Sequence, residues 1–371
     1  MPKPNLRSAE EQVARITGRA SNTVALWREV SGVLAEAVPH FMAPCWFTMD
    51  PASLLVTSHF QEGLPEIPAE WLAQEYLEDD YNKMADVARS PAAMATLDDA
   101  TGGRPELSAR YREQMAPWGA SQELLVALRT GGDAWGMLGL YREEGAEVFS
   151  AEERRFLAGV APLLGAGARN SLLIGEATDP DHDDAPGLLL LTSALKRNTA
   201  TAQAERWMGE LEPPRESGRL PAAIISVGAA AAGGDGSPSV RVRTRAGRWL
   251  VVHGARLGRD QVGVVIEPVA PAKIAPLLMT AYGLTPREQE VTALVLRGFS
   301  TEEIAGELVV SEHTVQQHLK SIFEKTGVNS RRDLTGKVFF SHYEPRLRDN
   351  ERRALEGKPL RGSPIALDRR T

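Results

Sequence analysis

The sequence predicts a multidomain α+β protein that ends in an all-α domain of four short helices. Three observations lead there. At 371 residues the chain exceeds one ordinary domain. An acidic run without periodicity, EATDPDHDDAPG from Glu176 to Gly187, separates two segments of mixed helices and strands. From Leu284 the pattern changes to closely spaced helices, each opening on its own capping signal.

The first segment spans residues 20–175. Val24, Trp27, Val30, Leu34 and Val38 have helical spacing over Val24 to Phe41. In ELLVALRTGGDAWGMLGLY, Leu124–Arg129 and Ala134–Tyr141 form two strands around a Gly-Gly turn. Ser150-x-x-Glu153 is a capping box ahead of the apolar positions Phe156, Leu157, Val160, Leu163 and Leu164. Trp135, Gly136, Leu138, Leu140, Tyr141 and Arg142, then Phe149, Ser150 and Glu153, give this segment an ending that resembles GAF domains. That resemblance implies an antiparallel sheet flanked by helices around a small-ligand site. The tryptophans Trp27, Trp46, Trp71, Trp118 and Trp135 are expected to fill its core, a pocket lined by some of them being the lesser alternative.

The middle segment, 186–272, starts on the apolar strand GLLLLT (Gly187–Thr192) and continues into a helix over Ala202–Leu211. It closes with strands at Arg248–Val252 and Gln261–Glu267, and Ala229–Ser239 is read as a Gly-rich loop. With Gly-Arg-Trp-Leu at 247–250, this order is similar to a degenerate PAS-like domain.

The third segment covers 280–343, and a polar tail predicted to be disordered covers 344–371. Thr285-Pro-Arg-Glu288 is a capping box with Pro at the first helical position, where its missing N–H is not needed. Ser300-x-x-Glu303, Ser311-x-x-Thr314 and Ser330-x-x-Asp333 open three more helices, and Gly298 and Gly327 stand just past helix ends. Projected at ~100° per residue, Val315, Leu319, Ile322 and Phe323 make an inward stripe on the third helix. His313, Gln317, Lys320 and Glu324 fall opposite, flanked by Gln316 and Ser321. An amide can bond adenine with both its groups, and a lysine can reach guanine or phosphate. The preceding helix buries Ile304, Ala305 and Leu308, and the Val309-Val310 turn that joins the two is short. That is helix-turn-helix geometry.

The spacing of Leu284, Thr285, Arg287, Glu288, Glu290 and Val291, continuing through Ser300, Ser311, Thr314, Val315, His318, Lys325 and Arg331, closely resembles the DNA-binding domain of LuxR-type (GerE-type) transcriptional regulators. The resemblance implies that Gln316, Gln317 and Lys320 read bases, and that the fourth helix, through Leu334 and Val338, is a dimer contact. Thr285, Arg287, Ser300, Thr301, Ser311, His313, Thr314, Ser321, Arg331 and Arg332 are then expected to position the DNA backbone.

The charge balance limits how such a domain can bind. The chain carries −7, and residues 284–344 hold seven basic against nine acidic residues. The tail from Pro345 holds eight basic and four acidic. Non-specific attraction to phosphate is therefore weak, so helix N-termini, a few placed cations and dimerisation must supply affinity.

Composition is that of a soluble protein, 43% apolar and 25% charged. Cys45 stands alone, which excludes an intramolecular disulfide and suits a reducing interior. No long apolar run or signal-like N-terminus is present, so a cytoplasmic protein without a membrane partner is expected. The sequence lacks G-x-S-x-G, H-E-x-x-H, a P-loop and a dinucleotide fingerprint, so no enzyme is predicted. His318 and Cys45 read as packed side chains and Asp181–Asp184 as linker, leaving no cofactor or metal expected.

The expected function is a sequence-specific regulator of transcription that binds double-stranded DNA as a homodimer. A small-molecule or protein signal would act on the GAF/PAS-like region. The alternative is a small-molecule-binding or scaffold protein whose helix-turn-helix is auxiliary or inactive. A phosphorylated receiver is disfavoured, because the N-terminal region lacks acidic strand ends within alternating β/α units.

Overall fold

The structure is a computed structural model that describes residues 5–19, 23–62, 68–171, 185–212, 219–234, 236–269, 277, 279–296 and 298–334. Two compact units divide the chain. One contains the first segment and most of the middle one, and the other contains the third together with residues 246–249 and the end of the middle segment from Pro268.

The first segment begins with α1 (Leu6–Arg19) and α2 (Thr23–Ala37), so its helices start before residue 20. Strands β1 (Cys45–Met49) and β2 (Val56–Phe60) follow, then α3 (Ala69–Leu77) and α4 (Met84–Arg89). After β3 (Met94–Thr96) and α5 (Leu97–Thr101) come the long strands β4 (Ala120–Thr130) and β5 (Asp133–Glu143), and α6 (Ala151–Ser171) closes the segment. The sheet is antiparallel in the order β2-β1-β5-β4-β3. Gly131 (φ 65°) and Gly132 (φ 95°) both take the left-handed region that a tight two-residue hairpin requires.

Alternation along the strands sorts the side chains. Trp46 turns toward α2 and stacks on Trp27 at 4.5 Å, its indole donating to Ser31 Oγ at 2.9 Å. Cys45 and Phe47 beside it turn the other way and line a cavity, as do Glu123 and Leu125 of β4. The GAF-like sequence motif forms one corner. Arg142 donates to Glu153 Oε1 at 2.6 Å and Pro39 O at 2.8 Å, and its guanidinium lies 4.2 Å from the centre of the Phe149 ring. Ser150 and Glu153 complete the predicted capping box at 2.7 and 3.2 Å.

The middle segment contains β6 (Gly187–Thr192), β7 (Arg197–Ala200), α7 (Ala202–Leu211), α8 (Ala222–Gly233), β8 (Ser239–Arg243), β9 (Trp249–Leu257) and β10 (Gln261–Pro268). Its sheet runs β7-β6-β10-β9-β8. Counted within the segment, that is second, first, fifth, fourth, third, the same order as the first sheet.

Ala229–Ser239 is not a loop throughout, because α8 runs on to Gly233. Alanine has the best intrinsic helix propensity, and this stretch is buried. Burial on all sides of an apolar helix hides the one-sided periodicity that would have marked it. α8 packs against α3 and β2 of the first segment. Gly233 permits the approach, since a Cβ there would stand 2.7 Å from Tyr76 O. Ser226 Oγ donates to Val56 O at 2.7 Å. The two segments therefore share one hydrophobic core, with Val56, Leu72, Leu125, Ile225, Val227 and Val264 among its members.

An ion pair joins the same two segments. Buried Asp50 accepts from Arg241 through its backbone N–H (2.9 Å), Nε (2.9 Å) and Nη2 (2.6 Å).

The second unit contains α9 (Pro286–Leu296), α10 (Thr301–Leu308) and α11 (Glu312–Thr326). Its core includes Leu284, Val291, Ile304, Val315, Leu319, Ile322 and Leu334. Residues 331–334 begin a further helical turn, with Ser330 Oγ accepting from Asp333 N at 3.0 Å. Val338 and the tail 344–371 lie outside the described residues, as does most of the acidic run 176–187. Among the described residues, no helix is long and apolar enough to cross a membrane.

Asp50→Ala leaves the Arg241 guanidinium without its partner and removes three hydrogen bonds between segments. Loss of a buried pair's partner costs about 3–5 kcal/mol. Urea unfolding followed by tryptophan fluorescence should show that loss, and an unchanged midpoint would contradict the role given to the pair.

Candidate functional site

In the second unit, helix starts and stops fix the geometry. Ser300 and Glu303 form a complete capping box on α10. Val309 ends that helix with φ 54°, a left-handed conformation unusual for a β-branched residue, and is 90% exposed. Ser311 then caps α11 by accepting from Thr314 N at 3.1 Å, and Gly327 ends it with φ 65°.

Along α11 the expected stripe faces inward, with Val315, Leu319 and Ile322 buried and Phe323 partly buried. Leu308 of α10 is partly buried rather than fully so. Outward stand His313, Gln316, Gln317, Lys320 and Glu324, all exposed, with Gln317 Nε2 and His313 Nε2 3.1 Å apart.

The residues expected to position the DNA backbone divide into two groups. Thr285, Ser300, Ser311, His313 and Arg332 are exposed, and Thr301 and Thr314 are partly buried. Ser321, Arg287 and Arg331 make contacts inside the domain. Arg287 donates to Leu308 O and Glu290 at 2.7 Å each, and Arg331 donates to Phe299 O at 3.1 Å. Leu334, expected at a dimer contact, is buried in the domain's own core.

Ser321 belongs to a network centred on Glu288. The Glu288 carboxylate accepts from Ser321 Oγ (2.6 Å), Lys325 Nζ (2.6 Å) and Thr285 N (2.7 Å), tying the start of α9 to the middle and end of α11. Burial pushes this carboxyl up, but hydrogen bonds from Lys325, Ser321 and Thr285 outweigh it and hold the pKa at about 2.

The first unit holds a second candidate site, a cavity of about 100 Å³ between the β1-β5-β4 face and the α3–α4 side. Apolar and aromatic groups make most of its wall: Met42, Phe47, Trp71, Leu72, Met84, Met115, Trp118, Leu125 and Tyr141. Trp71 and Trp118 meet edge to face at 5.4 Å. The other three of the five tryptophans, Trp27, Trp46 and Trp135, are buried in the core.

One end of the cavity is polar. Glu123 accepts from Asn82 Nδ2 at 2.8 Å and Arg110 Nη2 at 2.7 Å. Arg110 also donates to Tyr81 O (3.3 Å) and Asn82 O (3.2 Å). Glu75 is different: it is buried, and neither carboxylate oxygen has a hydrogen-bond partner. Arg110 Nη1 lies 3.6 Å away. Burial pushes the Glu75 pKa up to about 7, opposed by Arg110, Lys83 and the nearby Ala85 and Met84 amides. Cys45 is buried at the cavity wall, and its thiol is pushed up to about 12 by burial and by Glu123. It is a packed, protonated group.

Sequence reasoning missed Glu75, Arg110 and Glu123. The available signal was a carboxylate inside an apolar run, once in QELLVAL and once in WLAQEYL.

The family model described as "Bacterial regulatory proteins, luxR family" (GerE) matches residues 283–338, and the GAF domain model matches 11–167. The chain joins a GAF domain to a luxR-family helix-turn-helix domain. That is the make-up of a DNA-binding regulator with a GAF sensory domain. Among solved structures, a mutant chromophore-binding domain of Stigmatella aurantiaca bacteriophytochrome overlaps at 12% identity and TM-score 0.29, covering 45% of this chain and 60% of that one. The bacteriophytochrome RpBphP3 of R. palustris overlaps at 13% and 0.28, covering 71% and 62%. A phage VqmA-DPO complex overlaps at 18% and 0.19, covering 47% and 89%. The chain thus spans less than two thirds of either bacteriophytochrome structure, and scores this low establish no shared architecture.

The Glu288 network predicts an acid-sensitive helix-turn-helix. The folded pKa is below the usual carboxylate value, so the network's stabilisation is present above about pH 4.5 and is lost as pH falls toward about 2. Hydrogen exchange of α9 and α11 in the full chain should quicken over that range. In Glu288→Gln it should be faster at neutral pH and much less dependent on acid.

Proposed function

We propose that this protein is a sequence-specific transcriptional regulator that binds DNA as a homodimer, with an affinity set by a ligand or partner acting on the GAF-containing unit. The observation that carries this reading is the outer face of α11. Two amides and an ammonium stand exposed on a helix whose opposite face is locked into a core.

Gln316, Gln317 and Lys320 are the base-reading residues. Ser311, His313 and Thr314 at the start of α11, with Thr285, Ser300, Thr301 and Arg332, hold the phosphates. Arg287, Ser321 and Arg331 support the reading helix from within, consistent with their bonds to Leu308, Glu288 and Phe299. The dimer forms through the helix containing Leu334 and Val338 and sets the two reading helices about 34 Å apart, one turn of DNA. The arginines of the tail add contacts to the backbone.

The middle segment acts as a PAS-like relay. Two features support this: its sheet repeats the strand order of the GAF sheet, and its α8 shares a core with α3. A signal in the first unit favours one of two pre-existing arrangements of the dimer and so changes DNA affinity. The protein works in the cytoplasm, without chemistry of its own.

Selection of bound genomic fragments tests the reading. The wild-type chain enriches a defined sequence, whereas an inactive or scaffold module enriches none. Changing Gln316, Gln317 and Lys320 together to Ala lowers discrimination by about tenfold or more, since each good base contact contributes about 1–3 kcal/mol. Retained selectivity with an intact circular dichroism spectrum rules these residues out as readers. Deleting 345–371 should keep the preferred sequence and flatten the dependence of log affinity on log salt. An unchanged slope excludes the tail from the interface.

A further inference from the structure

The cavity of the first unit is built unevenly. Phe47, Trp71, Met115 and Trp118 give it an apolar, ring-lined body, while Glu75 brings a carboxylate to the wall. Among the described residues three other buried carboxylates, those of Asp50, Glu123 and Glu288, are met by a cation and by further donors. Glu75 has no such set. Its two oxygens are buried and accept no hydrogen bond of normal geometry: Arg110 stands 3.6 Å away and gives its 2.7 Å bond to Glu123, and the Met84 and Ala85 amides lie nearby. Leaving a buried carboxylate unbonded costs several kcal/mol, so an occupant that supplies donors gains what the empty site lacks.

We propose that the cavity binds a small aromatic molecule with a protonated or N–H-bearing nitrogen, its ring in the Trp71–Trp118 region and its nitrogen donating to Glu75. Ring faces and edges favour a flat apolar body. The volume, about 100 Å³, limits the guest to about a single small ring. At Glu75 a carboxylate-bearing molecule would meet a like charge, with Arg110 already committed to Glu123; Arg219 and His59 also line the wall, so benzoate is the comparison that tests the sign of the site. Glu75 lies on α3, and the next residue, Tyr76, accepts from Val56 N at 3.0 Å and adjoins Gly233 of α8. Occupancy is thereby sensed on the helix that supports the middle segment. This inference rests on the ligand-responsive regulator proposed above.

Isothermal titration of the full chain with benzamidine, benzoate and benzyl alcohol tests it. All three carry the same ring and differ in the group offered to Glu75. Benzamidine should bind about tenfold or more tighter than either of the others, as expected for a charge-assisted bond. Glu75→Gln should erase that preference. Glu75→Leu, which replaces an unpaired carboxylate by apolar atoms and has no reason to unfold, should keep benzyl alcohol binding and lose benzamidine. Benzoate binding as tightly as benzamidine, a preference that survives both variants, or no benzamidine binding at millimolar concentration overturns the assignment. Fragment selection on the same samples separates the two levels. Selective DNA binding without amine preference leaves the regulator and removes the ligand class. Amine preference without selective DNA binding does the reverse.

Discussion

A carboxylate withdrawn from water must be met by donors, and this protein uses that demand to join pieces far apart in sequence. Asp50 draws Arg241 from the middle segment onto the GAF sheet. Glu123 gathers Arg110 and Asn82 from loops on either side of α4 and β3. Glu288 fastens the start of α9 to the middle and end of α11. Each replaces lost hydration with several directed bonds, which fixes geometry more narrowly than apolar packing alone. Where the demand is least well met, at Glu75, the carboxylate lies on the wall of a cavity.

Short-range signals in the sequence give the helix-turn-helix almost entirely. Capping serines at 300 and 311, glycines at 298 and 327, and the 315–319–322 stripe are local statements about one helix each, and the structure follows them. The β4–β5 hairpin is legible for the same reason, since Gly131-Gly132 permits a turn that few other pairs adopt. Strands β1 to β3 and helix α8 are not. β1 to β3 are short, and α8 is apolar without a polar face, so its alanines and glycines suggested a loop until burial was known.

The site divides along the same line. α11 presents its exposed residues from one continuous helix, so projection finds them, although it could not show that Ser321 turns toward Glu288. The cavity assembles β1, β4, β5, α3, α4 and the turn around Arg110, and nothing within any one stretch announces the others. The local traces it leaves are a glutamate inside each of two apolar runs, WLAQEYL and QELLVAL.

α3 occupies a central place in this unit. One set of its side chains, Trp71, Leu72 and Glu75, faces the cavity, and Tyr76 meets β2 and α8. Close-packed interiors transmit small shifts rather than absorbing them.

Glu75 has a further consequence for the accounting of protons. Burial lifts the Glu75 pKa to about 7, so this carboxyl can take up a proton near neutrality. A cationic guest favours the ionised form, so its entry expels that proton into the medium. The heat of association then depends on the ionisation enthalpy of the buffer, and cellular acidification competes with the guest for the same two oxygens.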